Sequence, residues 1–243
     1  MMKTNVQTAL EIARCFLGEE HPRNPNELCS ALGITVINNR QLNNEGYLIC
    51  SDGQKLIFVS SGVTNLHRRN FVVAHELGHF LMHHDKLYCC TDISLSRSFK
   101  TNTHVQEGEA NQFASEFLLP QAELKPMIPK QSLTMTDIQT IASHFDVSIT
   151  HAAMKAVQNS NTEDEILLCY DGDKLKWYEA NGSNLYSRIP QKCPITLYKN
   201  RKKSSVSGVW DGLYEGGVRQ EVFHTYRNNY LVLLSGKRKS YDW

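Results

Sequence analysis

The stretch His75-Glu76-Leu77-Gly78-His79 decides both the fold and the chemistry predicted for this 243-residue chain. It lies in a helical pattern that starts at Thr64 or Asn65 and continues to about His84. Residues four apart share one face of a helix, so the two imidazoles of the stretch can bind one divalent metal. Glu76 is then expected beside the metal, close enough to take a proton from an activated water without being a ligand.

A third metal ligand is expected on the next predicted helix, which runs from about Gln106 to Leu119. Catalytic zinc usually takes three protein ligands and leaves one position for water. Glu107 is favoured, since Asn111 lies on the same face and can orient a ligand imidazole through a hydrogen bond. Glu109 is the competing carboxylate. It points about 200° away on the same helix, so only one of the two can face the metal.

Two further histidines, like Asn111, are candidates to contact the metal ligands without binding the metal themselves. His83 continues the face of His79, but a fourth protein ligand would close the water position, so we expect it behind the ligands or at the rim. His104 falls in a predicted loop over residues 88–105 and could donate to an oxyanion, with a solvated histidine as the alternative. The competing interpretation of the whole motif is a set of ordinary histidines on an amphipathic helix.

The pattern of elements predicts an α+β protein in three parts. Helical periodicity and turn residues divide the chain into residues 1–130, a core of helices on a small sheet; 131–160, a helix-turn-helix-like segment; and 161–243, a β-rich domain. The β-rich domain is a candidate for partner recognition or sensing. The predicted strands are 34–37, 47–50, 55–60, 166–170, 174–179 and 230–234.

Two long segments resemble the ImmA/IrrE family of metallopeptidases. The run from Arg68 to Asp85 resembles the family's R-R-F-x-x-A-H-E-L-G-H-x-L-x-H-H-D block, and Glu107 to Pro120 resembles its E-x-E-A-N-x-F-A-x-x-L-L-x-P block. The likeness covers roughly residues 1–158. It implies a zincin-like core of the gluzincin type, zinc at His75, His79 and Glu107, and Glu76 as the catalytic base.

The resemblance also implies a function. Members of the family commonly act on helix-turn-helix repressors of mobile elements or in stress responses, so a zinc endopeptidase with a regulatory protein as substrate is expected. The alternative is a zinc-stabilised regulatory partner of a repressor or toxin with little proteolysis of its own. Direct DNA binding is not expected, because the second helix of the 131–160 segment offers only Lys155 as a basic residue.

Composition gives no reason to expect a membrane or bulk nucleic acid as partner. The formal net charge is +1, and no apolar run is long enough to span a bilayer. Seven cysteines without a C-x-x-C pair suit a reducing compartment, so a cytoplasmic location is expected. Basic clusters in the tail are expected to be solvated loops, with a nucleic-acid or acidic-protein surface as the alternative; they occupy 199–203 and 237–239.

Overall fold

The computed structural model describes residues 4–40, 42–51, 53–83, 102–162, 164–181, 187–192, 202–204, 210–225 and 229–239. The chain forms two compact units. The first comprises residues 1–120 and 144–147, and the second comprises 121–143 and 148–243. Most of the predicted loop at 88–105, and the basic residues Lys199 and Arg201, lie outside the described residues. Within the described ranges, every helix is too short or too polar to cross a membrane.

The first unit contains four helices and a small sheet among its described residues. The helices are α1 (Asn5–Leu17), α2 (Pro25–Ala31), α3 (Leu66–Met82) and α4 (Asn102–Leu118). The strands are β1 (Thr35–Asn39), β2 (Gly46–Ser51) and β3 (Gln54–Ser60). Helix α4 begins at Asn102, earlier than the sequence pattern indicated, so the last residues of the predicted loop are helical.

The small sheet places β3 in the centre, parallel to β1 and antiparallel to β2. Strands β2 and β3 form a tight hairpin around Gly53, whose φ of 78° lies in the left-handed region that glycine tolerates. Ile57 and Val59 of β3 are fully buried, as expected for alternate residues on the covered face of a sheet. The sheet thereby gives α3 an apolar surface to pack on.

Helix α3 is the central element of the first unit. Its N-cap residue Asn65 accepts a hydrogen bond from the backbone of Arg68, which fixes where the helix starts. Every residue from Phe71 to His79 is buried. At Gly78 an added Cβ would lie 3.1 Å from the Cα of Ala110, so the absence of a side chain lets α4 approach closely. This approach brings the face of α3 that contains His75 and His79 close to the face of α4 that contains Glu107.

The second unit combines short helices with a five-stranded antiparallel sheet. Its helices are α5 (Gln121–Leu124), α6 (Met135–Phe145, whose last two residues belong to the first unit) and α7 (Ile149–Gln158). Its strands are β4 (Glu165–Asp171), β5 (Lys174–Ala180), β6 (Lys202–Ser204), β7 (Arg219–His224) and β8 (Asn229–Ser235). The strand order is β5-β4-β8-β7-β6. Helix α7 packs on β4 and β5.

Large aromatic side chains fill the core of this sheet. Trp210, Tyr170 and Tyr214 are almost fully buried, and the indole Nε1 of Trp210 donates to Oε1 of buried Gln220 at 2.8 Å. Buried Glu165 accepts hydrogen bonds at its two carboxylate oxygens, so its charge is compensated inside the unit.

The predicted α+β class is confirmed. Both predicted helices of the helix-turn-helix-like segment form, as α6 and α7, and Asp146 between them has a φ of 50°. Lys155, the one basic residue of α7, is only 6% exposed. Helix α7 therefore presents no well-exposed lysine or arginine side chain.

Candidate metal centre

Three side chains from α3 and α4 converge on one point. His75 and His79 are fully buried, and their Nε2 atoms lie 3.2 Å apart. The carboxylate of Glu107 lies 3.3 Å from Nε2 of His75 and 3.4 Å from Nε2 of His79. One possible ligand atom from each of the three residues lies within 4.8 Å of those from the other two. This arrangement is compact enough to surround a single ion.

The hydrogen bond behind His75 determines which of its ring nitrogens has the lone pair. Its Nδ1 lies 3.0 Å from Oδ1 of Asn111, an amide oxygen that only accepts. In the neutral ring the hydrogen must then be on Nδ1, and Nε2 presents its lone pair to the cluster. Both carboxylate oxygens of Glu107 also lie close to the Nε2 atoms of His75 and His79. A cation bound between the oxygens and the nitrogens would stabilise this arrangement of lone pairs.

The electrostatics of the cluster favour the forms that bind metals. Burial alone would raise the pKa of Glu107, but His75 and His79, when protonated at Nε2, donate hydrogen bonds and place positive charge beside the carboxylate, and these effects lower the pKa overall. Burial lowers the pKa of His79 below its ordinary value. An ionised carboxylate and a neutral imidazole are the states that zinc requires of these ligands. The residues present therefore fit a divalent metal such as zinc.

Glu76 lies where α3 meets the start of β2. It is fully buried, and its Oε1 would be 3.1 Å from a Cβ at Gly46, the first residue of β2. Glu76 follows His75 directly in the chain yet is not a member of the converging group. Among the described residues, Glu76 is therefore not a candidate ligand.

The remaining predicted residues separate into two sets. Asn111 contacts His75, and His83 contacts His79, with 3.1 Å between their Nδ1 atoms. Glu109 lies outside the converging group and instead meets Nε2 of His83 at 3.0 Å. His104 is exposed near the start of α4 and does not join the group.

Sequence reasoning missed two residues of this region, Gly46 and Asn5. Asn5 of α1 donates to Glu109 through its side-chain amide at 3.2 Å. Both residues come from elements remote in sequence from the two motifs. A glycine at the start of a strand was the only signal available for Gly46, and Asn5 offered none.

Comparisons with known proteins agree with this geometry. Residues 29–156 match the family model Peptidase_M78, described as the IrrE N-terminal-like domain. No curated protein matches the chain. A solved structure described as a Mycobacterium tuberculosis transcriptional regulator is similar, with a TM-score of 0.57 and 17% sequence identity over 95% of this chain and 76% of that one. At this identity the likeness shows the fold alone.

Proposed function

The chain belongs to the IrrE N-terminal-like family of peptidases, and from this membership we propose that it is a zinc-dependent endopeptidase. The proposed ligands are His75, His79 and Glu107, and the proposed general base is Glu76. Helix-turn-helix transcriptional repressors, or similar regulatory proteins, are the proposed substrates.

The observation that carries this proposal is the number of candidate ligands, which is three among the residues that the structure describes. His83 follows His79 by one helical turn, but its Nδ1 meets His79 and its Nε2 meets Glu109. Both ring nitrogens are engaged away from the cluster, so His83 does not close the site as a fourth ligand. Three protein ligands with a remaining position for water are typical of catalytic zinc, whereas structural zinc is usually held by four.

The residues of the site then divide the chemistry. Zinc, when bound, would polarise the scissile carbonyl and make water a stronger nucleophile. Glu76 accepts the proton of the attacking water and passes it to the nitrogen of the leaving amine. Asn111 keeps His75 in the tautomer that binds metal.

Support for the substrate class comes from the family resemblance of the two motifs. The similar solved structure is described as a transcriptional regulator, which is compatible with a regulatory setting for this fold. The direct way to identify a substrate is to search for cleavage without choosing one in advance.

Glu76→Gln tests the mechanism. We expect this variant to keep stoichiometric zinc, measured by mass spectrometry of the purified protein, and to lose cleavage, since an amide cannot accept the proton. New N-termini in a cell extract, and in a purified helix-turn-helix repressor encoded near this gene, would be compared between wild type and variant. Glu11→Gln, an exposed change on α1, is the matched control and should cleave as wild type does.

Turnover by Glu76→Gln, with contaminating protease excluded, would contradict the mechanism. Zinc binding without new N-termini in any wild-type sample would favour the alternative, a zinc-stabilised binding partner of a regulator. A wild-type protein that binds no metal after zinc loading would contradict both.

A second pair of variants tests the ligand set. We expect Glu107→Gln to lose most of its zinc, because the amide cannot supply the negative charge that the carboxylate gives the metal. Glu109→Gln should still fill with zinc when the metal is saturating, since Glu109 faces His83. Equal zinc content in both variants would refute the assignment of Glu107 as third ligand.

A further inference from the structure

A chain of hydrogen bonds extends from His79 away from the metal cluster and through three helices. Nδ1 of His79 meets Nδ1 of His83 at 3.1 Å, and Nε2 of His83 meets Oε2 of Glu109 at 3.0 Å. The other carboxylate oxygen of Glu109 accepts from the side-chain amide of Asn5 at 3.2 Å. His79 belongs to α3 and His83 is the C-cap of that helix, Glu109 belongs to α4 and Asn5 to α1; all lie in the first unit.

The hydrogens in this chain can be assigned from its far end. An ionised carboxylate only accepts, so Nε2 of His83 must donate to Glu109. In a neutral imidazole the other nitrogen then has a lone pair, so Nδ1 of His83 accepts from Nδ1–H of His79. His79 is left with its lone pair on Nε2, the atom that points at Glu107.

We propose that His83, Glu109 and Asn5 form a positioning relay that holds His79 in its metal-binding tautomer. This inference rests on the proposed function, in which His79 is a ligand. It gives Glu109 a role other than that of competing ligand, and it ties α1 to the metal site.

Burial favours an ordered contact among His79, His83 and Glu109, whereas the hydrogen bond between Asn5 and Glu109 is exposed. The side chain of His83 is 5% exposed and that of Glu109 is 26% exposed. A hydrogen bond shielded from water holds its geometry better than an exposed one. His75 reaches the same tautomer through one amide, Asn111, while His79 reaches it through two further side chains.

The decisive measurement is the tautomer of His83. Long-range proton–nitrogen NMR on protein labelled with 15N-histidine distinguishes protonated from unprotonated ring nitrogens. At about pH 8, well above the ordinary pKa of histidine, we expect the hydrogen on Nε2 and none on Nδ1. The spectrum of His83→Asn identifies the His83 signals. A hydrogen on Nδ1 of His83 would overturn the proposal, because that atom could not then accept from His79.

Two substitutions at His83 separate orientation from packing. The side-chain oxygen of Asn stands close to where Nδ1 stood and can accept from His79, whereas Leu fills the space but accepts nothing. We expect zinc affinity, measured by competition with a chromogenic chelator, to fall about 10- to 100-fold in His83→Leu and to stay within about threefold of wild type in His83→Asn. A purely structural His83 would tolerate Leu at least as well as Asn, and that order would overturn the relay.

Glu109→Gln tests the hydrogen bond between Nε2 of His83 and the carboxylate of Glu109. An amide can present either an acceptor or a donor to His83, so we expect His83 to populate both tautomers and zinc affinity to fall by less than in His83→Leu. Glu116→Gln, on the same helix, is the matched control and should change neither. An unchanged tautomer and unchanged affinity in Glu109→Gln would contradict the proposal.

The relay and the proposed function can fail separately. Failure of wild type to bind zinc would count against the proposed function. The tautomer of His83, measured in metal-free protein, tests the relay independently of zinc binding.

Discussion

Gly46 shows how a single residue outside both motifs shapes the site. A Cβ built on it would lie 2.5 Å from Cγ1 of Val72, 3.1 Å from Oε1 of Glu76 and 3.2 Å from the backbone oxygen of Phe58. The rigid backbone atom on one side prevents the strand from simply shifting away. A side chain at this position would force the side chain of Val72 to shift and would also crowd the carboxylate of Glu76.

We predict that Gly46→Ala lowers the rate of cleavage by about tenfold or more, because a small misplacement of a catalytic group is costly. Zinc content should stay at the wild-type level, since no ligand contacts Gly46. The measurement is kcat beside metal content, with Gly62→Ala as control, where the nearest atom is an ordinary 3.4 Å away. Equal rates in the two variants would show that Gly46 does not position Glu76.

At the same scale, the sequence predicts the converging residues and two of their neighbours, Asn111 and His83, but it does not predict the neighbours that come from other elements. Helix periodicity alone placed His75 and His79 on one face and separated Glu107 from Glu109. Those relations are local, within a few turns of one helix. Gly46 and Asn5 depend on how β2 and α1 pack on α3 and α4, and no pattern within either motif encodes that packing.

At the scale of elements, the contact between α3 and α4 determines whether the ligands meet. A Cβ on Gly78 would approach the Cα of Ala110 to 3.1 Å and Cδ1 of Phe113 to 3.2 Å. The backbone of α4 cannot yield without moving the whole helix. Glu107 lies one turn before Ala110, so any displacement of α4 moves this ligand too.

We predict that Gly78→Ala destabilises the first unit by about 1–2 kcal/mol. Overpacking typically costs about 1–3 kcal/mol, which exceeds the roughly 0.5–1 kcal/mol that alanine gains over glycine in a helix. Zinc affinity should fall as well. Urea unfolding and chelator competition are the measurements.

For Gly108→Ala, on the neighbouring helix α4, we expect stabilisation instead of destabilisation. Nothing lies within 4 Å of a Cβ at this exposed position, so the variant should be stabilised by roughly 0.5–1 kcal/mol. If Gly78→Ala were as stable as Gly108→Ala, the close contact between α3 and α4 would not exist in solution.

The elements that sequence patterns missed are polar ones. Strand β7 has the sequence Arg219-Gln220-Glu221-Val222-Phe223-His224, which shows little apolar alternation. It pairs with β6 and β8, and its buried residue Gln220 accepts a hydrogen bond from Trp210, a partner ten residues away. Strands β4, β5 and β8, which have ordinary apolar patterns, were predicted to within one residue at each end.

At the scale of the whole molecule, the second unit contains a histidine that ties its stability to pH. Burial lowers the pKa of His151 from 6.5 to about 3, and the positive charge of Lys155, one turn further along α7, lowers it further. Below about pH 6.5 the unfolded chain binds a proton at this residue and the folded unit does not. The free energy of unfolding must therefore decrease as the pH falls through this window.

We predict a slope of up to about 1.4 kcal/mol per pH unit from His151 between about pH 6 and pH 3. Urea unfolding of wild type and His151→Gln across this range should give curves that converge or cross as the pH falls. The difference in the free energy of unfolding between wild type and variant at pH 8 is the reference, because His151 is then neutral in both the folded and the unfolded state. Parallel curves down to pH 3 would show that His151 is protonated in the folded unit.

Residues 144–147 belong to the first unit, although residues 121–143 before them belong to the second. This limits where a fragment that contains the whole first unit can end. Asp146 lies 3.2 Å from Nε2 of His67, and the ring of Phe145 packs edge-on against His21 at 5.0 Å. A fragment that ends at Pro120 lacks both contacts, although it contains every residue assigned to the metal. The shortest continuous fragment that keeps the first unit whole extends to Val147 and so includes residues 121–143 of the second unit. No single cut therefore separates the unit that contains His75, His79 and Glu107 from the second unit.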